Sequence, residues 1–122
     1  MAKLECRLDG AFDVILREIE DGILNGSASA SLEDASDFRS GAVRCAVRVF
    51  ERYSMLGGNR LSMTVTLFDS PEGMFLSAIT AGGSNAVQME AAQSLVVSGH
   101  LALALEDMDL NGGLVVRGGG ED

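Results

Sequence analysis

Residues 42–54, AVRCAVRVFERYS, decide how the rest of the chain is read. Taken with period 2, the stretch separates into Val43, Cys45, Val47 and Val49 on one side and Arg44, Ala46, Arg48, Phe50 and Arg52 on the other. Successive side chains of a strand point to opposite faces, so these are two faces of one strand. The small and β-branched apolar side predicts a face packed on a core. Guanidinium groups lose too much hydration to be buried alone, which predicts that the arginine side is wet or paired. One apolar and one polar face together predict an antiparallel sheet covered on one side by helix.

On the N-terminal side, Lys3 to Leu8 alternates, with Leu4, Cys6 and Leu8 inward. Asp9 is a candidate helix N-cap, and Phe12, Ile15, Leu16, Ile19 and Ile23 then recur as one amphipathic stripe. Asp13 falls in the first turn, where the helix dipole favours an acid, and Asn25-Gly26 supplies the stop. Ser27 to Glu33 alternates again, with Ala28, Ala30 and Leu32 on the inner side, and its small residues predict a close approach of the helix. Glu33-Asp34-Ala35-Ser36-Asp37 then reads as an acidic turn or bulge ahead of Ser40-Gly41.

On the C-terminal side, Leu56-Gly57-Gly58-Asn59 is a hairpin loop. Leu61, Met63, Val65 and Leu67 form the core face of the next strand, with Ser62, Thr64 and Thr66 outside. Asp69-Ser70-Pro71-Glu72-Gly73 turns the chain into a strand from Met74 to Thr80. Residues 85–108 carry helix-favouring Ala, Gln, Glu, Leu and Met, which predicts a helix broken near Gly99.

Length and composition set the bounds. A chain of 122 residues accommodates one domain of ordinary size, and 47% hydrophobic residues supply a core. Five phenylalanines, one tyrosine and no tryptophan leave that core to aliphatic side chains. A net charge of −9 repels nucleic-acid phosphate and anionic lipid, with the arginine strand the one basic stretch against it. Cys6 and Cys45 both fall on expected core faces, with no C-x-x-C metal spacing, and behave there as small hydrophobes. MAKLECRLDG lacks an apolar signal core, and no apolar run reaches membrane-helix length. The expectation is a reduced, cytoplasmic protein with neither nucleic-acid nor membrane partner.

The segments SASASLEDASDF, RCAVRVFERYSMLGGNR and LSAITAGGS resemble a family of small bacterial proteins of unknown function over about residues 1–86. The resemblance implies a helix on a curved antiparallel sheet and transfers no activity. It also implies an aromatic-rich strand and a closing helix after the Gly-Gly-Ser turn. This chain carries Asn85-Ala86-Val87-Gln88-Met89-Glu90 there instead, so its tail has either diverged or been read in another frame from near Ala86.

The candidate sites are few. Glu33, Asp34 and Asp37 offer oxygen ligands for Ca²⁺ or Mg²⁺, but lack the glycine and distal glutamate of a calcium loop. A solvated acidic turn is the plainer reading. Arg44, Arg48 and Arg52 lie four apart on one strand face, suited to gripping an anion bidentately or to pairing across the ladder with Glu33 or a partner chain's acids. The surplus of acids favours pairing. Arg60 is a further candidate beside these arginines but reads more simply as an exposed strand-end charge. Glu51 and Tyr53, candidates for acid–base chemistry beside Arg52, read more simply as the strand's exit from the sheet. Neither Gly57-Gly58 nor Gly82-Gly83-Ser84 fits a phosphate loop, and His100 lacks a nucleophile context.

These readings predict one α+β domain over residues 1–110, of order β-α-β-β-β-β-α, with a flexible Gly-rich acidic tail over 111–122. Helices cover one face of a curved antiparallel sheet, as in TATA-binding-protein-like or small helix-grip folds. Fold alone carries little function. The expected outer face gathers serines, threonines, Arg44, Arg48, Phe50 and Phe68 into a surface for self-association or partner binding, without catalysis or a cofactor. The alternative is a helix-grip pocket for a small apolar or anionic ligand.

Overall fold

The computed structural model of the chain describes residues 2–26, 28–53 and 60–82. Six elements follow in order: β1 (Ala2–Leu8), α1 (Phe12–Asn25), β2 (Ser31–Ser40), β3 (Val43–Tyr53), β4 (Arg60–Ser70) and β5 (Gly73–Ala81). The strands form one antiparallel sheet in the order β1-β5-β4-β3-β2. After β1, helix α1 carries the chain across one face to the far edge, and β2 to β5 then meander back until β5 pairs with β1. This is an α+β fold of a five-stranded antiparallel sheet and one helix. The expected second helix, the Leu56–Asn59 loop, His100 and the tail lie outside the described residues.

One face of the sheet makes the core. Leu4, Cys6 and Leu8 of β1, Leu61, Met63, Val65 and Leu67 of β4, and Met74, Leu76 and Ala78 of β5 are buried there against Phe12, Ile15, Ile19 and Ile23 of α1. Those faces match the alternation of the sequence. The helix stripe also holds, with Leu16 and Leu24 packed along its margin.

The arginine strand is extended as expected, but its faces are exchanged. Ala46, Arg48 and Phe50 are buried on the helix side, while Val43, Cys45, Val47 and Val49 stand half-buried on the opposite, outer face. The reason is electrostatic. Asp13 and Glu20 lie on the flank of α1, seven residues apart, a rise of about 10 Å along a helix. Arg44 and Arg48 lie four apart on β3, about 13 Å along a strand. The two spacings agree well enough for both pairs to close, at 3.0 Å for Arg44–Asp13 and 2.7 Å for Arg48–Glu20. The partners that the arginines need are on the helix, so the charged face turns inward. Cys6 and Cys45 consequently lie on opposite faces of the sheet, both as free thiols.

Two boundaries also differ from the sequence reading. The second strand runs Ser31–Ser40 rather than from Ser27, and the Glu33–Asp37 stretch lies within it, with the register slipping between Leu32 and Asp34. The bulge alternative is therefore the right one, and the described residues 28–30 lie before the strand rather than in it. The helix N-cap is Ala11, without a side-chain cap bond, so Asp9 lies upstream of it. Gly26 ends the helix at φ −79°, a right-handed conformation. Its value there is space, since a Cβ would fall 2.9 Å from the Gly22 carbonyl oxygen.

Candidate functional site

Of the residues singled out from the sequence, Arg48 is the most completely built in. It is only 8% exposed. Its Nε donates to Glu20 at 2.7 Å, one Nη to Asp37 at 3.0 Å, and the other Nη to the carbonyls of Val47 and Ser36 at 3.0 and 3.2 Å. Desolvation works against its charge, but its hydrogen bonds to the Glu20 and Asp37 carboxylates and their negative charges outweigh it and raise its pKa further. Arg44 donates to Asp13 at 3.0 Å and lies 4.1 Å from the centroid of the Phe12 ring, over its face. The hydrogen bond from Arg44 holds the Asp13 carboxyl below its usual range.

Both arginines thus pin helix to sheet. Phe50 is core, at 2% exposure. Arg52 stands half-buried and lines one hollow with Arg60, whose guanidinium donates to the Tyr53 hydroxyl at 2.8 Å and pairs with Glu51 at 3.4 Å. Glu33 accepts from the Ser31 hydroxyl. The three carboxylates do not converge: Glu33 is the bulged residue, Asp34 accepts from the Ala35 amide and shares a row with Val49, and Asp37 turns to Arg48. Among the described residues no group of three or more His, Cys, Asp or Glu is placed to hold a metal.

On the outer face, Phe68, Thr64 and Thr66 stand where the sequence placed them, whereas sequence reasoning missed Phe38, Phe75 and Ile79. Directly paired residues share a face, so the register draws rows across the sheet. One row runs Phe38–Cys45–Phe68–Phe75–Arg7, the next Ser36–Val47–Thr66–Ser77–Glu5, and the third Asp34–Val49–Thr64–Ile79–Lys3. Phe38 is 65% exposed, and Phe68, Phe75 and Ile79 are 38, 40 and 40% exposed. Glu5, Arg7, Thr66, Phe68, Phe75 and Ser77 rim a shallow hollow of about 450 Å³. Arg7 lies over the Phe75 ring, 5.4 Å from its centroid, and donates to the Glu72 carbonyl at 2.6 Å. Gly73 permits that crossing, since a Cβ there would sit 2.8 Å from the guanidinium. The signal was present in the alternation of Phe75, Ser77 and Ile79 against Met74, Leu76 and Ala78, but adjacent large residues concealed the period.

Two other hollows are smaller, about 230 Å³ beside Asp13, Val14 and Arg17 of α1 and about 140 Å³ beside Glu33, Arg52 and Arg60. Between the end of α1 and the sheet, beside Ile23, Ala30, Phe50 and Met63, the void is about 20 Å³. No helix among the described residues is long and apolar enough to cross a membrane.

The fold and this outer face define a small α+β protein, roofed by a helix on one side of its sheet and presenting a row of aromatic side chains on the other. The chain belongs to the family of unknown function DUF6054, whose model matches residues 1–95. A second model, NAD-specific glutamate dehydrogenase, matches residues 73–122. No curated protein and no solved structure matches the chain.

Proposed function

We propose that the protein is a non-enzymatic cytoplasmic module that associates with itself through the outer face of its sheet. The observation that carries this reading is the continuous row Phe38–Cys45–Phe68–Phe75, whose three phenylalanines are exposed on a face that no described element covers. Aromatic side chains contribute large contact areas at interfaces, and an exposed apolar patch rimmed by polar residues marks a docking surface. Face rather than edge is favoured by β2. Its bulge and its charges Glu33, Asp34, Asp37 and Arg39 are features that block strand-to-strand growth. Two free thiols on opposite faces suit a reducing compartment.

Other readings have less behind them. A void of about 20 Å³ under the helix end holds one water, whereas ligand pockets are several hundred Å³. The described part of the dehydrogenase-matching region is one strand of an antiparallel sheet, and residues 73–122 contain no G-x-G-x-x-G. Arg44 and Arg48 are committed to carboxylates, which weakens the case for phosphate.

Sedimentation equilibrium of the full chain across micromolar to tens-of-micromolar concentrations tests the proposal. A concentration-dependent dimer is expected, reduced to monomer by Phe68→Ser with Phe75→Ser. Monomer alone throughout that range sinks it.

A further inference from the structure

The geometry points to a particular partner arrangement on this face: a second copy of the chain, stacked face to face about a twofold axis that runs parallel to the strands over β4. This rests on the self-association reading above and specifies its geometry. Rotation about such an axis keeps each row at its own height and exchanges the two sides of the sheet. β1 then lies over the partner copy's β2, β5 over its β3, and β4 over its β4, an aligned sheet stacking about 10 Å apart.

The rows are self-complementary under that operation. In the third row, Lys3 at the β1 side meets Asp34 at the β2 side of the other copy, and Ile79 meets Val49. In the first row, Phe68 meets Phe68 on the axis, and Phe75 meets Cys45. Phe38, the most exposed of the large apolar side chains, comes over Arg7 and projects toward the hollow of about 450 Å³ bordered by Arg7, Phe68 and Phe75. A knob and a hollow on one face, placed on opposite sides of the central strand, fit each other twice in a dimer. A guanidinium above the Phe38 ring adds a cation–π contact.

The same charges reject the other face-to-face twofold. An axis across the strands keeps each strand over its own copy and inverts the rows, which sets Lys3 against Arg7 of the second copy and Phe38 against Asp34. Like charges facing one another in an interface disfavour it. Five strands at about 4.8 Å and seven residues at about 3.3 Å make a face on the order of 500 Å² in projection. The accessible area of a side-chain-covered face exceeds its projection, bringing it near the roughly 800 Å² per partner of a standard interface.

Charge reversal in the full chain tests the arrangement. Lys3→Asp and Asp34→Lys, made singly, are expected to weaken the dimer about tenfold each, and the double reversal to return most of that loss. Unchanged thermal midpoints of the monomers serve as the folding control. Cys45 alkylation is the second readout: its rate should fall as the dimer forms in the wild-type chain and recover in Phe38→Ser. If the single reversals leave the dimer intact while Phe68→Ser with Phe75→Ser dissociates it, or if the double reversal gives no rescue, this twofold is wrong and self-association stands. A monomer at all concentrations with Cys45 already protected means that the face is covered from within the chain, and both readings fail.

Discussion

Arg48 keeps its charge in the protein interior because two carboxylates and two carbonyls converge on it. The two acids are not equivalent. The Glu20 side chain is 29% exposed and that of Asp37 is 64%. Removing the more enclosed partner leaves more of the guanidinium's desolvation uncompensated. Glu20→Gln is therefore expected to cost about 1–3 kcal/mol, and Asp37→Asn less than about 1 kcal/mol, as exposed pairs do. Urea unfolding midpoints of the two variants decide the order, and a larger loss for Asp37→Asn would contradict it.

The same residue explains why the facing of β3 was not legible. A rule that keeps arginine out of a core fails when its acid partners belong to another element. The clue was Asp13 and Glu20 beside Phe12 and Ile19, at a helical spacing matching that of Arg44 and Arg48. Burial also separates the two thiols: it pushes the Cys6 pKa up to about 12, so this buried group is expected to remain unalkylated in the folded chain.

At the scale of elements, what could be read depended on whether a strand has a buried side. β1 and β4 alternate cleanly since each buries one face on the helix side, and their core residues were identified in full. β2 does not, because nine of its ten residues are exposed on both faces, and burial never imposed a period on its sequence. The bulge at Glu33 then moves what alternation remains out of phase.

Turns were more legible: Gly41 falls in the two-residue connection Gly41-Ala42 that follows Ser40, and Pro71-Glu72 is the connection before Gly73. Gly82, just past β5, has φ +89°, and a Cβ there would collide with the Arg60 carbonyl oxygen at the start of β4. Gly82→Ala is expected to cost about 1–3 kcal/mol from strain and collision together. Gly41→Ala serves as comparison at φ +58°, with nothing within 4 Å of the added carbon, and should cost less. Equal denaturation midpoints for the two would rule out the steric part.

For the whole molecule, the helix covers β1, β5, β4 and the near part of β3, and leaves β2 at an edge with solvent on both faces. Local opening follows such differences in packing. Amide exchange should therefore be fastest in β2 and slowest in β4 and β5, and a protected β2 in the monomer would show that another part of the chain lies on it. The architecture of sheet and helix was visible from alternation alone, whereas the site was visible only in part: Phe68, Thr64 and Thr66 were placed on the outer face, and Phe38, Phe75 and Ile79 were not. Its rows exist only once four registers are fixed, and no single strand contains more than one residue of any row.

The pairing of Ala2 with Thr80 has a consequence for synthesis. β2 to β5 join neighbours through short connections, whereas the strand made first has no neighbour in the sheet until the strand described last has been translated. During elongation at roughly 5–20 residues per second, the amino-terminal segment waits several seconds with Leu4, Cys6 and Leu8 uncovered. Among the described strands, the pairing of β1 with β5 is therefore the one with the largest loop to close.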